Sequence, residues 1–213
     1  INVPITGYWQ IAGEDINGDG AIQGIVVHND NTVTEWMYTS VIDNPYKLGY
    51  KTGKWNVNGN HYEMQLPKGY GKYYNVTVAG NDDQKMYLAY NGKTSVVPFY
   101  KLTSLPGDGN NMISELEGMK MSGFNMTDLT GYWEQDNETG CGFYIDEEGN
   151  ISDLSQIWTE KEHYYVQYHS AKVELDDNNC LILSSGVKWN VYAVNNNSLL
   201  AFANGDNNNS VEH

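Results

Sequence analysis

The sequence predicts an all-β protein of two tandem antiparallel up-and-down β-barrels, joined by a linker that holds at most a short helix. Its 22 glycines and 26 asparagines predict frequent turns and few long helices. Runs of about five to eight residues alternate in polarity between turn signals, which is the pattern of half-buried strands. A motif of the first strand also returns in the second half of the chain, so we expect the architecture to be repeated.

The repeat sets the expected domain boundaries. Residues 5–10, ITGYWQ, return as residues 129–134, LTGYWE, and later strand and turn segments follow in the same order in both halves. We therefore predict a first barrel over residues 1–102, a linker over residues 103–127 and a second barrel over residues 128–213.

The first copy contains eight or nine predicted strands, and their alternation assigns side chains to the two faces of the sheet. The strands are predicted near residues 7–11, 22–28, 33–38, 46–52, 54–57, 61–66, 73–78, 85–90 and 96–102. In two of the later strands, the predicted inward side chains are Tyr74, Val76, Val78, Met86, Leu88 and Tyr90. The predicted outward side chains there are Tyr73, Asn75, Thr77, Tyr87 and Ala89. In the linker, about two helical turns are predicted near residues 112–119.

The second copy is predicted to lack most of its closing strand. In the first copy, Val96 opens a final strand that continues to Leu102, whereas the matching Val211 is followed by Glu212 and His213 alone. An open barrel exposes unpaired amides and carbonyls along its edge. Three remedies stay open: a strand beyond the recorded chain, a cover from the N-terminal segment or the linker, or pairing with a second molecule. We favour the first two over dimerisation, and a monomer is expected.

The charge balance excludes one class of partner. The chain has 12 lysines and no arginine against 27 acidic residues, for a formal net charge of −15. Such a chain repels a phosphate backbone, so nucleic acid is not an expected partner. No apolar run reaches the roughly 18 residues of a membrane-spanning helix, so no transmembrane segment is predicted. Cys141 and Cys180 are too few for a disulfide scaffold and are predicted to be reduced and buried.

Two aromatic motifs carry a resemblance to a known family. Gly7 and Trp9 open the first copy in a Gly-Tyr-Trp sequence, and Gly131 and Trp133 open the second in the same way. Residues 53–60, GKWNVNGN, look like a hairpin from the middle of such a barrel. At the start of a meander of about eight strands, this pattern resembles the lipocalin-like domains of secreted or surface-anchored lipoproteins of gut bacteria.

The resemblance implies a fold, a structural role and a location. Trp9 and Trp133 would close the floors of their barrels as aromatic plugs, with direct ligand contact as the alternative. In lipocalins an arginine from a late strand packs over this tryptophan, and this chain has no arginine. The mature chain would be secreted, or held at the cell surface or in the periplasm through a removed, lipid-bearing N-terminal segment.

Residues 15–22, DINGDGAI, match the first half of a calcium-binding loop. Asp15, Asn17 and Asp19 supply oxygen atoms at alternate positions, and a glycine follows for the sharp turn. The position at which an EF-hand places its bidentate glutamate holds Val26. Two interpretations stay open: a hairpin loop whose side chains cap backbone amides, which we favour, and a weak calcium site with a dissociation constant of about 10⁻⁴ to 10⁻³ M. No other cofactor is expected.

The sequence contains none of the common catalytic motifs. A nucleophile elbow, a zinc-protease helix, a Cys-x-x-Cys pair and a phosphate-binding glycine loop are all missing. His163 and His169 share one face of a predicted strand, but six residues separate them by about 20 Å, too far for one zinc ion. An enzyme is therefore not expected.

The leading hypothesis is a non-enzymatic secreted or surface-anchored module that binds a small molecule or a glycan. The outward face with Tyr73, Asn75 and Tyr87 is the predicted platform for a polar ligand, because tyrosine stacks on sugar faces and asparagine both donates and accepts hydrogen bonds. The alternative is a structural or protein-interaction module whose barrels are filled by their own side chains. A hydrolytic enzyme is the third and least favoured hypothesis.

Overall fold

The structure, a computed structural model, describes residues 3–12, 20–40, 45–69, 72–134, 141–157, 163–175, 180–184, 187–203 and 210–212. These residues form sixteen β-strands and two short helices. The chain divides into two compact units, residues 1–115 and residues 116–213. Each unit is an antiparallel meander of eight strands, which confirms the predicted all-β class with two barrel-like sheets in tandem.

Unit 1 is a closed barrel. Each strand pairs with the next along the chain, and the last strand pairs with the first. Closure leaves no strand edge open for pairing with another chain. The strands are β1 (Gly7–Ile11), β2 (Ile22–Val27), β3 (Thr32–Tyr38), β4 (Tyr46–Asn58), β5 (His61–Gly69), β6 (Lys72–Asn81), β7 (Lys85–Tyr90) and β8 (Val96–Leu102).

β4 is one strand of 13 residues where the sequence predicted two shorter ones. Its register against β3 shifts between the pairs made by Val33 and Glu35. Lys51 lies in this irregular stretch with a φ of 52°, a left-handed conformation that few side chains adopt. The bulge absorbs the extra residues and bends the strand, so pairing continues on both sides of it.

The core of unit 1 lies inside the barrel and receives side chains from every strand. Its buried cluster is formed by Ile5, Trp9, Ile25, Val27, Val33, Tyr62, Met64, Leu66, Val76, Val78, Met86, Leu88 and Phe99, with Trp55 of β4 packed against it. Tyr74 and Tyr90 are partly buried against the same cluster. The inward set predicted for β6 and β7 is therefore confirmed. Of the predicted outward set, Tyr73, Asn75 and Tyr87 are exposed, and Thr77 and Ala89 are half-buried.

Two short helices follow barrel 1. α1 (Gly109–Leu116) begins three residues before the predicted helix, and its Ile113 is buried. The approach to α1 is held by the Tyr46 hydroxyl, which donates a hydrogen bond to the Pro106 carbonyl. Gly109 lies so close to the Tyr46 ring that a Cβ there would be 2.7 Å from Cζ.

α2 (Met126–Leu129) is a single turn that the sequence analysis did not predict. Asn125 Oδ1 accepts a hydrogen bond from the Asp128 backbone at 3.2 Å, and Asp128 Oδ2 accepts one from the Asn125 backbone at 2.7 Å. This reciprocal capping box satisfies two backbone donors. Four residues are too few for a hydrophobic period, so the capping residues are its one local signal.

Unit 2 repeats the meander. Its strands are β9 (Gly131–Glu134), β10 (Cys141–Ile145), β11 (Asn150–Ile157), β12 (His163–Leu175), β13 (Cys180–Ser184), β14 (Val187–Val194), β15 (Leu199–Ala203) and β16 (Ser210–Glu212). Its core includes Trp133, Ile145, Ile151, Cys180, Ile182, Val191 and Leu199. The Cys141 side chain lies outside the described part of the structure. Among the described residues, neither helix has the length or the apolar character to cross a membrane.

The closing strands of the two units differ in length. β8 has seven residues, and its last four, Phe99–Leu102, pair with β1. β16 has three residues and pairs with β15, and within the described residues no pairing joins it to β9. The reason for this short closing strand stays a prediction. So does the identity of the segment that covers the edge of the sheet beside it.

Candidate functional site

The two Gly-x-Trp motifs build the same local structure in both units. Trp9 is fully buried and its indole nitrogen donates a hydrogen bond to the Ile5 carbonyl at 2.7 Å. Trp133 is nearly fully buried and donates in the same way to the Leu129 carbonyl at 2.9 Å. Each bond satisfies a buried donor and a backbone acceptor just before the first strand. We call the end of barrel 1 toward which the Trp9 indole points the tryptophan end.

The glycine of each motif has a backbone conformation that side chains disfavour. Gly7 has a φ of 125° and Gly131 a φ of 144°. A Cβ at Gly7 would also lie 3.3 Å from Lys101 Cε. The glycines of the motifs therefore allow the backbone conformation at the start of the first strand, and the tryptophans fix that start by a buried hydrogen bond.

Lys101 provides the cation that packs over Trp9. The two residues are paired across β1 and β8, and the lysine Nζ lies 5.2 Å from the centroid of the indole ring. Cations at this distance from an indole face are attracted by the quadrupole of the ring. In this chain, which has no arginine, the cation over the motif tryptophan of barrel 1 is a lysine. The sequence signal was a lysine at an inward position of the last strand of the copy.

The predicted platform residues lie on one face of barrel 1, but the two tyrosines, Tyr73 and Tyr87, do not come together. Thr77 is opposite Ala89 in the pairing of β6 with β7. Tyr73 lies four residues before Thr77 on β6, and Tyr87 lies two residues before Ala89 on β7. Because the strands are antiparallel, the two tyrosines lie on opposite sides of this pair along the barrel. At about 3.3 Å per residue, roughly 20 Å separates the two tyrosines. Asn75 is instead beside Gln65, whose side chain donates to its oxygen at 3.4 Å.

Inside barrel 1, the structure places one acidic side chain that the sequence analysis did not select. Glu35 on β3 is paired with Ile25 on one side and with Gly49 on the other. Paired residues point to the same face, and Ile25 belongs to the core, so Glu35 points inward. Gly49 brings no side chain beside it. Among the described residues, no hydrogen bond or ion pair reaches the Glu35 carboxyl.

Burial raises the pKa of Glu35 to about 7, because the charged carboxylate loses water without gaining a compensating partner. A largely buried acid with such a shift is a common mark of a functional site. The signal was available in the sequence, since Glu35 shares the alternation of Val33, an inward residue. Catalytic and metal-binding motifs are recognised in a sequence as groups of residues, and Glu35 belongs to no such group.

Two tyrosines lie inside barrel 1 at the end opposite the tryptophan end. Tyr74 is near the start of β6 and Tyr90 ends β7, and since these strands are antiparallel both lie at the same end of the barrel. Their rings meet edge to face at 5.6 Å. We call this region, defined by Tyr74 and Tyr90, the tyrosine end. Burial and then the charge of Glu35 raise the pKa of Tyr90 to about 12, so the carboxyl and the phenol are within electrostatic reach of each other.

Lysines contact both rings of the tyrosine end. Lys68 Nζ is 5.2 Å from the centroid of the Tyr74 ring, and Lys93 Nζ is 5.9 Å from the centroid of the Tyr90 ring. The arrangement can provide one carboxyl, two aromatic rings and two exposed cations to a molecule that enters from this end.

A second polar cluster has a structural explanation. Thr34 is fully buried, its Oγ1 lies 2.7 Å from His28 Nε2, and it accepts a hydrogen bond from the Lys51 backbone at 2.9 Å. Lys51 Nζ is 2.8 Å from Asp30 Oδ2. Burial acts to raise the pKa of Asp30, but hydrogen bonds from Lys51 and Thr32 outweigh it and bring the pKa to about 2. These contacts hold the bulge of β4 in its left-handed conformation.

The predicted calcium ligands Asp15, Asn17 and Asp19 lie outside the described residues. The side chains of His163 and His169 are also outside them, although their backbone belongs to β12. Within the described ranges, no three His, Cys, Asp or Glu side chains are grouped as metal ligands.

The comparisons with protein families and with curated proteins identified no relative of this chain. No protein-family model matches the chain, and a search of curated proteins found no significant match.

Proposed function

We propose that this protein is a non-enzymatic binding module whose first barrel takes a small molecule at the tyrosine end. The observation that carries the proposal is Glu35, a largely buried carboxyl inside a closed barrel with no hydrogen bond or ion pair among the described residues. An acid kept in such a place costs folding free energy, so a binding role accounts for its presence. The Tyr74 and Tyr90 rings supply the apolar contact area that small-molecule sites use.

The resemblance to lipocalin-like domains supports a secreted or surface-anchored location. The same resemblance supports a ligand inside the barrel over a glycan on its outer face. The roughly 20 Å between Tyr73 and Tyr87 weakens the outer platform, because one sugar ring does not span it.

The alternative is a structural or protein-interaction module. It is favoured by the filled interior near the tryptophan end, where Trp9, Met86 and Phe99 are fully buried. On the outer face, Tyr87 and Tyr100 are exposed, and Lys85 Nζ lies 5.3 Å from the Tyr100 ring. Exposed aromatic residues are enriched at protein contact surfaces.

A fragment screen on the whole chain tests the proposal. We expect fragments that bind the parent chain, measured by ligand-observed NMR, to lose binding in Tyr74→Ala and to keep it in Tyr100→Ala, a tyrosine on the outer face. Circular dichroism checks that both variants fold. Fragments that bind only in a manner sensitive to Tyr100, or a parent chain that binds none, would favour the alternative.

A further inference from the structure

The wall around Glu35 is poor in charge. β2, on one side of it, carries no charged residue. β4 carries three lysines: Lys47 and Lys54 are exposed, and the ammonium of Lys51 is bound to Asp30 at 2.8 Å. None of the three has an ion pair with Glu35. Of the two residues paired with Glu35, Ile25 is apolar and Gly49 has no side chain, so neither offers the carboxyl a charged partner.

Across the interior, the titratable groups that face Glu35 are phenols. Tyr90 senses the Glu35 charge, and Tyr74 packs against Tyr90 edge to face. With its pKa raised to about 12, the Tyr90 phenol stays protonated at neutral pH and a phenol carries no positive charge to neutralise the carboxylate. Lys68 and Lys93 lie over the two rings and make no ion pair with Glu35. Lys101, an inward cation of barrel 1, lies over Trp9 at 5.2 Å from the ring centroid. Among the described residues, the Glu35 carboxylate is thus left without an ion-pair partner.

We infer that the small molecule taken by barrel 1 is an organic cation, with an ammonium that pairs with Glu35 and an apolar or aromatic body that packs on Tyr74 and Tyr90. This inference rests on the proposed function and names the chemical class of its ligand. An ammonium at the carboxyl forms a charge-assisted hydrogen bond in a site of low dielectric, where such a bond is strongest.

The tyrosine rings suit the same class. One lysine ammonium lies over each ring, at 5.2 or 5.9 Å from the centroid, and the rings give aromatic surface on which the apolar or aromatic body of the ligand can pack. The net charge of −15 also concentrates cations near the protein. A carboxylate ligand would be repelled by Glu35. A neutral ligand would leave the carboxylate without an opposite charge.

Three matched probes test the inference on the whole chain: 2-phenylethylammonium, the neutral 2-phenylethanol and the anionic 3-phenylpropanoate. Binding is measured by isothermal titration at pH 8.5 and pH 5.5, on the two sides of the Glu35 titration. We expect the ammonium probe to bind about tenfold more tightly than the alcohol at pH 8.5. At pH 5.5 Glu35 is protonated, and we expect the preference to fall below about threefold.

Two variants check the source of the preference. Glu35→Gln removes the charge and is expected to abolish the preference at pH 8.5. Glu63→Gln removes an exposed carboxylate that is bound to Asn58 and His61, and is expected to keep it. If Glu35→Gln does not fold, the pH dependence of the parent chain gives the same answer.

The outcomes separate this inference from the proposed function. Equal binding of ammonium and alcohol, tighter binding of the carboxylate, or a preference that survives in Glu35→Gln would overturn the cation inference alone. The cation inference would also be overturned if the ammonium probe does not bind while the fragment screen finds ligands that lose binding in Tyr74→Ala. If neither experiment finds a ligand of barrel 1, both proposals fall together.

Discussion

Lys101 and Trp9 are opposite each other across the β1–β8 seam that closes barrel 1, with the lysine Nζ 5.2 Å from the indole centroid. The indole is fully buried, and its nitrogen donates to the Ile5 carbonyl. The cation therefore covers an aromatic ring that is already fixed by a hydrogen bond. This contact joins the two strands that close the sheet.

Removal of the Lys101 charge is expected to destabilise unit 1. For Lys101→Met, which keeps a similar chain length, we expect a loss of about 1 kcal/mol because the half-buried cation contact disappears. Lys101→Arg retains a cation and is expected to keep most of the stability. Urea unfolding followed by tryptophan fluorescence measures the change. The control is Lys85→Met, which removes a similar contact on the exposed outer face and is expected to cost less than about 0.5 kcal/mol. Equal stability of Lys101→Met and the parent would contradict the prediction.

Gly24 is expected to resist any side chain. Its Cβ would collide with the Trp9 carbonyl and lie 2.7 Å from a ring carbon of Trp36. For Gly24→Ala we expect a loss of about 3 kcal/mol, because backbone and a buried ring must both shift. Gly80→Ala is the matched control, since nothing lies within 4 Å of the added Cβ. Chemical denaturation of both variants makes the comparison, and similar midpoints would refute the predicted crowding.

The corresponding glycine of unit 2 gives a separate check. A Cβ at Gly142 would meet the Trp133 carbonyl, as the one at Gly24 meets the carbonyl of Trp9. Gly142→Ala is therefore expected to destabilise unit 2 by a comparable amount. A mild effect there, with a large one at Gly24, would show that the shared motif does not impose the same packing.

The stability of unit 1 is expected to fall between about pH 4.5 and pH 7. The pKa of Glu35 is about 7 in the folded state and 4.5 as its ordinary value, so the folded state holds its proton over this range and the unfolded state does not. At about 1.4 kcal/mol per pKa unit, the fall in the free energy of unfolding is about 3 kcal/mol. It is complete above pH 7.

Glu35→Gln is expected to remove this pH dependence. The difference in unfolding free energy between variant and parent should therefore grow in favour of the variant from pH 5 to pH 8. Glu63→Gln serves as the comparison at an exposed position. A difference that stays constant across this range would show that the Glu35 pKa is not raised.

Calcium binding at Asp15, Asn17 and Asp19 stays a prediction with a direct test. If these residues bind the ion, millimolar calcium should raise the unfolding temperature relative to a chelator, because the ion binds the folded state alone. At ten times the dissociation constant the gain is about 1.4 kcal/mol. An unchanged midpoint, or an equal rise in an Asp15→Ala and Asp19→Ala double variant, would favour the capped hairpin.

The sequence by itself determined most strands of the first copy, the inward faces of β6 and β7, and the repeat. Turn residues and alternation act over a few positions, so β7 (Lys85–Tyr90) and β8 (Val96–Leu102) have their predicted bounds. The inward positions of Met86 and Leu88 follow from the same local alternation. The Gly-x-Trp motif likewise marked the first strand of both units, because its hydrogen bond spans only four residues.

Only the tertiary structure decided which residues meet. The pairing of β6 with β7 and the bulge in that pair separate Tyr73 from Tyr87, although the two share a face. Closure of the barrel puts Lys101 over Trp9 and encloses Glu35 with Tyr90. These contacts depend on the register and the closure of eight strands, which are set by pairing between residues far apart in the chain. Local sequence patterns do not encode that register, and the candidate site was therefore visible only in the folded barrel.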